Sequence, residues 1–332
     1  MEIPYLLRFR ERDKVIGTPM KWFIPATVVT LILLPAWGSA YAVSFLVSTF
    51  MYVALAGSWN LFSGMTGYAS LGQGLFFGIG AYAFAVSTVL LSWPPVAGIV
   101  LAALVSGIGA VFLGFVLLTT RIRVAYFAIV MLGFNEITKT VVANIKAIGS
   151  SSGLTIPPLP SNLIAYYFLL GLAVAVTAIS YLIKRSQWGL GLKAILADEV
   201  AAEVTGVGTV SHKMVMFILS AILTGLTGSM IAWYWSYIDP YMAFDLGVSF
   251  DMVVMAIFGG VGTVMGPVLG AVIMSVVKEA LSTSIPQFHT IIFGALVLAL
   301  IMWCPGGLMQ AVDVLRRRLK RDAGPVVGRV ER

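Results

Sequence analysis

Asn135, Glu136 and Lys139 put an amide, a carboxylate and an ammonium within about one helical turn, in the middle of an apolar run. A charge at the centre of a bilayer costs about 2.5–3.5 kcal/mol even on the mildest scale, so such a group needs a reason. At i, i+3 spacing Glu136 and Lys139 can neutralise each other. Either the group faces a polar pathway, with Glu136 as a proton or cation site, or it is glue between packed helices. Asn60, Ser70 and Gln73 flank a glycine cluster running from Gly64 to Gly80. They read as further translocation-path residues or as interhelical hydrogen bonds.

Enzyme chemistry is not written in the chain. It has no G-x-x-x-x-G-K-[ST] nucleotide loop, no H-E-x-x-H and no G-x-S-x-G. His212 and His289 lie far apart and form no metal spacing, and Cys304, the only cysteine, excludes an internal disulfide. If the chain moves a solute uphill, the energy comes from another subunit or from an ion gradient.

A second group sits in the polar segment Lys184–Lys213, which interrupts an otherwise lipid-soluble sequence. Good helix formers run from Gly191 to Thr205, with Gly206 and Gly208 as stop signals. Asp198, Glu199 and Glu203 crowd like charge onto this predicted helix. Such a charge run suits a basic groove on a soluble partner, but it is also what a merely solvated loop looks like.

These residues must be held by membrane helices. The 332-residue chain is 59% hydrophobic and 11% charged, against about 45–50% and about 25% in soluble domains. Apolar runs are about one bilayer long and do not alternate with period two, so helices satisfy the backbone. The fold class is all-α, a polytopic integral membrane protein. Ten spans are predicted: Trp22–Gly38, Tyr41–Phe62, Leu71–Leu91, Val96–Thr119, Val124–Ile145, Leu163–Ile183, Met214–Tyr237, Val248–Gly260, Val264–Leu281 and Thr290–Trp303. Residues 1–21 then form a basic N-terminal tail, 22–304 the transmembrane domain with segment 184–213, and 305–332 a basic C-terminal tail. Small residues at Ala40-Tyr41-Ala42 resemble a leader-peptidase site, but Pro25, Pro35 and the following apolar stretch favour an uncleaved first span.

Lys and Arg set the orientation. The N-terminal tail, Arg121 and Arg123, segment 184–213 and the Arg316–Arg321 run are basic and should be cytoplasmic. Ala147–Asn162 and Ile238–Gly247 carry no Lys or Arg and should face outward. Ten spans satisfy this with both termini cytoplasmic. The net charge of +7 therefore reads as membrane orientation, not nucleic-acid binding. Gly259, Gly260, Gly262, Gly266 and Pro267 fall within nine residues and predict a helix break. If that break is re-entrant, eight spans suffice. Gly74 and Gly78 read as a small-xxx-small packing pair.

Four motifs in order carry a resemblance. Asn60–Tyr82, Tyr126–Ile137, the segment from Ser186 to Gly206, and Gly259–Ala271 followed by Pro305-Gly-Gly-Leu308 together resemble the branched-chain amino acid ABC transporter permeases, of M-type rather than H-type. The likeness runs from about Ala42 to Leu308. It implies a bacterial inner-membrane permease subunit working with an H-type permease, two ATPase subunits and a periplasmic binding protein. This chain would bind no cofactor, and ATP-Mg would sit on the partners. Gly191, Ala194, Asp198, Glu199, Ala202, Glu203 and Gly206 would form the ATPase-coupling helix. The implied substrates are branched-chain or other hydrophobic amino acids, and the same frame carries urea, short amides or aromatic acids elsewhere. The sequence departs from the family at Ile148–Leu154, where Thr-Gly-Gly is usual, and at Leu190 and Leu196, where Arg is frequent.

Overall fold

A computed structural model describes residues 27, 29–37, 39–120, 122, 124–284, 294 and 307–309. They fall into two units, Met1–Leu46 and Val47–Arg332. The first contains a 3-10 turn at Leu34–Ala36, with Pro35 near its start where the missing donor costs nothing. It also holds the head of the first long helix, where Ser39 Oγ accepts from the Ala42 amide at 3.3 Å.

The elements follow the hydropathy closely. Helix α1 is Ala40–Trp59 and continues through a π-helical turn, Asn60–Gly64. After an irregular loop, α2 (Gly74–Ala85) also ends in a π-helical turn, Val86–Leu90. Then come α3 (Pro95–Thr119), α4 (Val124–Asn144), β1 (Leu154–Thr155), α5 (Asn162–Arg185), α6 (Gln187–Ala197), α7 (Glu199–Val204), α8 (Thr209–Trp235), β2 (Tyr237–Ile238), α9 (Pro240–Ala243), α10 (Leu246–Gly259) and α11 (Gly266–Ser284). Among the described residues, seven helical stretches are long and apolar enough to span, and Gly74–Leu90 is a shorter eighth. The predicted first span, Trp22–Gly38, is described at residues 27 and 29–37, and the tenth, Thr290–Trp303, only at residue 294.

Three differences from the expected elements affect the site. The predicted third span starts at Gly74, not Leu71, because the 65–73 loop, helical at Met65 and Thr66, is irregular from Gly67 to Gln73. Helix α8 starts at Thr209, five residues before the expected Met214, and so draws Lys213 into the helix. The all-α expectation has one small exception. β1 and β2 pair antiparallel, Leu154 with Ile238 and Thr155 with Tyr237. That ladder joins the two segments that lack Lys and Arg, and Tyr237 Oη donates to the Ser152 carbonyl at 3.0 Å.

The core of the second unit is α8 packed on α2 and α3. Between lipid-facing helices there is no hydrophobic drive to associate, so close van der Waals approach does the work. A Cβ at Gly80 would collide with the Gly225 carbonyl, and one at Gly228 with the Phe77 carbonyl. The α2 and α8 backbones therefore touch. A layer of Phe62, Phe76, Phe127 and Phe217 fills the space beneath them, with Phe62 and Phe217 ring centroids 4.8 Å apart. On the opposite side α3 presents Ile108, Phe112 and Phe115 outward, the apolar stripe expected against lipid acyl chains.

Candidate functional site

Two small helices make up the polar segment, not one. Ser186 caps α6, its Oγ accepting from the Gly189 amide at 3.4 Å. The predicted single helix Gly191–Thr205 is interrupted at Asp198, whose backbone is extended. Its carboxylate accepts from the amides of Val200 and Ala201 at 2.9 and 3.0 Å. Asp is a weak helix-interior residue and a strong N-cap, so the break follows from the residue type. Asp198 is thus occupied as a cap as well as exposed. Gly191 has no room for a side chain because His212 lies against it, and His212 packs at a tilt of 41° on Trp188 with centroids 4.4 Å apart.

Glu199 is not a free surface acid. Lys213, buried at 1% side-chain exposure, pairs with it at 2.5 Å, and Glu199 itself is 30% exposed. Tyr68, from the 65–73 loop, completes the group. Its hydroxyl donates to Glu199 Oε2 at 2.9 Å and accepts from Lys213 Nζ at 3.3 Å, and Nζ lies 4.4 Å from the ring centre. Burial first, then the bond to and charge of Glu199, push the Tyr68 phenol up to about 12. Sequence reading placed Lys213 at the end of a solvated segment. The structure buries it, because α8 begins earlier and one acid waits at the right height. Gly191 and Ala202 are buried, Ala194 is half-buried, and Glu203 and Gly206 are exposed. Large apolar side chains of the segment are exposed: Val200 at 72% and Val204 at 85%, and Leu190 and Leu196 as well.

Asn60 grips the glycine break. Its Oδ1 accepts from the Gly262 amide at 2.7 Å and its Nδ2 donates to the Thr263 carbonyl at 2.9 Å. Thr263 Oγ1 then donates to the Gly260 carbonyl and accepts from the Gly266 amide. The break itself runs from Gly260 to Met265; Gly259 ends α10, and Gly266 and Pro267 open α11. Gly260 and Gly262 have φ of +121° and +71°, where a Cβ would be strained. Gly307, from the fourth motif, packs against Gly260 and the Ile257 carbonyl. Three segments of these motifs, far apart in sequence, meet here.

The other polar candidates are buried as well. Gln73 Nε2 donates to Ser220 Oγ at 2.6 Å, and Ser220 donates to the Ser58 carbonyl at 2.6 Å. The Ser70 amide donates to Ser63 Oγ, and its carbonyl accepts from Trp59 Nε1 at 2.8 Å. Asn135 Nδ2 donates to the Phe244 carbonyl at 2.9 Å. Among the described residues, Ser70 Oγ, Gln73 Oε1 and Asn135 Oδ1 find no hydrogen-bond partner. These side chains are thus shut away from solvent, and Asn60, Gln73 and Asn135 tie helices together. Glu136 pairs with Lys139, as the spacing predicts, on the more exposed face of α4.

A further charged group lies outside the predicted candidates. Asp251 and Lys278 form an ion pair between α10 and α11, with Tyr52 Oη donating to Asp251 Oδ2 at 3.1 Å and accepting from Lys278 Nζ at 2.8 Å. The signal was opposite charge on two apolar runs joined by a glycine turn. Among the described residues, no group of three or more His, Cys, Asp or Glu is arranged to hold a metal.

A model of the family described as branched-chain amino acid transport system / permease component matches residues 41–301. The high-affinity branched-chain amino acid transport system permease protein LivM of Salmonella typhimurium is 26% identical over 340 residues, covering 93% of this chain and 78% of that protein. LivM of Escherichia coli K12 is 26% identical over 345 residues with the same coverage. The permease protein LivH of Salmonella typhimurium is 24% identical over 143 residues, 42% of this chain and 46% of that one. No solved structure matches.

Proposed function

Because the chain belongs to the branched-chain amino acid transport system permease component family, we propose that it is the membrane-spanning subunit of an ATP-driven importer for branched-chain or other hydrophobic amino acids. The observation that carries this reading is the family match over residues 41–301 together with likeness to LivM along 93% of the chain. The chain itself is a conduit and not an enzyme. Two ATPase subunits with ATP-Mg drive it, an H-type permease completes the pathway, and a periplasmic binding protein delivers the solute.

The exposed apolar face of α6 and α7 supports ATPase docking. Large apolar side chains outside a membrane span mark a contact surface, and Val200, Val204 and Leu196 lie between the basic flanks of segment 184–213. Glu203 and Asp198 rim that face. In the coupling role, Gly191, Ala194 and Ala202 seat the two helices, and Gly206 lets the chain turn back into α8.

The reading has ten spans in the bacterial inner membrane, and seven long helices plus the shorter Gly74–Leu90 supply eight of them. Alternating α1, α2, α3, α4, α5, α8, α10 and α11 puts the β1–β2 ladder at one end. It puts loop 65–73, segment 187–208 and turn 260–265 at the other, in line with their contacts through Tyr68–Glu199 and Asn60–Gly262. Crossings at Trp22–Gly38 and Thr290–Trp303 complete the set and return both termini to the cytoplasm. Asn60, Ser70, Gln73, Asn135 and Glu136 remain pathway residues in this reading, reached when the buried hydrogen bonds open.

Affinity purification of the tagged chain from its own membranes tests the proposal. The expected result is a complex with two ATPase chains and a second, different permease, taking up radiolabelled leucine only with ATP and the binding protein. A chain recovered without ATPase, in membranes whose uptake collapses with the ion gradient, would overturn it.

A further inference from the structure

Glu199 and Val200 are neighbours that point to different worlds. Val200 is exposed, while Glu199 turns inward and pairs with the buried Lys213. Resting on the reading of segment 184–213 as ATPase-facing, we infer that Glu199, Lys213 and Tyr68 form a positioning clasp. It locks that segment to the 65–73 loop, so that displacing one displaces the other.

Three observations carry this. Lys213 is fully buried, so its charge depends on Glu199; removing one member of a buried pair strands the other. Tyr68 donates to one partner and accepts from the other, so it holds the loop to both α7 and α8 at once. The same loop continues directly into the buried polar cluster. Ser70 is tied to Trp59 and Ser63 on the extended first helix, and Gln73 to Ser220 on α8. A push on α7 therefore reaches two pathway candidates through five residues of loop. Gly67 adds a second seam, with φ of +81° and Leu196 Cδ1 only 3.0 Å from where its Cβ would be. In this scheme Glu199 acts through Tyr68 and Lys213, and contact with the ATPase is left to Val200, Glu203 and Val204.

The test uses the complete complex in proteoliposomes with the binding protein and leucine as probe. It compares wild type with Tyr68→Phe, Glu199→Gln, Lys213→Met and the Glu199→Gln/Lys213→Met double variant. Each single variant should keep its ATPase subunits yet lose between about twofold and about thirtyfold in leucine taken up per ATP hydrolysed, the span expected when a coupling contact is cut. The double variant should be no worse than the worse single, since its stranded charge is gone. Loss of ATPase subunits from Glu199→Gln with normal coupling in Lys213→Met and Tyr68→Phe would overturn the clasp. Should a lysine or glutamate variant fail to reach the membrane, Tyr68→Phe decides, because phenylalanine fills the same space; wild-type coupling in it is then sufficient refutation. A wild-type complex that lacks ATPases sinks the importer reading instead, so the two failures are distinguishable.

Discussion

Asn60 and Gly262, 202 residues apart in sequence, are joined by a 2.7 Å hydrogen bond from the glycine amide to the side-chain carbonyl. The amide end of the same side chain serves Thr263. An asparagine is required because one residue must accept and donate in one plane. Asn60→Leu leaves both backbone groups unpaired, at about 1–3 kcal/mol for a fully buried one. Asn60→Asp keeps the acceptor but opposes a carboxylate oxygen to the Thr263 carbonyl. Both variants should lower the thermal unfolding midpoint in detergent, with no rescue by aspartate.

Substitution at the α2–α8 contact should be severe. Gly80→Ala and Gly228→Ala add a methyl where backbone already stands, and overpacking costs typically about 1–3 kcal/mol or more. Gly133→Ala is the control, since nothing lies within 4 Å of its added Cβ. Membrane-level abundance and unfolding midpoint should fall for the first two and stay unchanged for the third.

The docking face separates from the cap. Val200→Asp with Val204→Asp should reduce ATPase retention on purification by about tenfold or more, the loss of roughly 1.4 kcal/mol of binding, without lowering the stability of the chain. Asp198→Ala should do the converse and destabilise α7 by about 1 kcal/mol through the lost cap. Asp198→Asn, still a capping residue, should restore it. Limited proteolysis across residues 186–208 reads the cap; co-purification reads the face.

The ion pair between α10 and α11 should behave as a unit. Asp251→Asn or Lys278→Met alone removes one half of the pair beside Tyr52, whereas the double substitution removes both. The double variant should therefore unfold at a higher temperature than either single one, a non-additivity visible in one thermal series.

Alkali should loosen the chain partly through Tyr68. Its folded phenol titrates at about 12, above the unfolded value near 10. The unfolded state thus gives up its proton first, and the contribution, complete below about pH 10, drains away as pH approaches 12. Tyr68→Phe should flatten the fall in unfolding midpoint across that window relative to wild type.

Much of the scaffold was legible because lipid leaves the backbone few choices. The spans from Ala40 to Ser284 appear within a few residues of the hydropathy runs, and the break at Gly260–Met265 follows from glycine composition alone. Charge partners were less legible. Glu136 and Lys139 are neighbours on one helix, so their pairing shows in the spacing. Lys213 meets Tyr68 across 145 residues and Asp251 meets Tyr52 across 199, and no local pattern encodes such meetings. The split at Asp198 was within reach, since an acid that favours caps stood amid alanine and leucine. The expectation of one continuous helix weighed propensity over capping.

The bare backbone contact between α2 and α8 leaves no slack for sliding. Two helices locked at Gly80, Gly225 and Gly228 must travel as a single keel. Any rearrangement of the subunit has to be taken up by joints elsewhere, at the irregular stretch before Gly74 and the elbow after Gly260. A cross-link at the keel should be harmless to turnover, whereas stiffening either joint should freeze it.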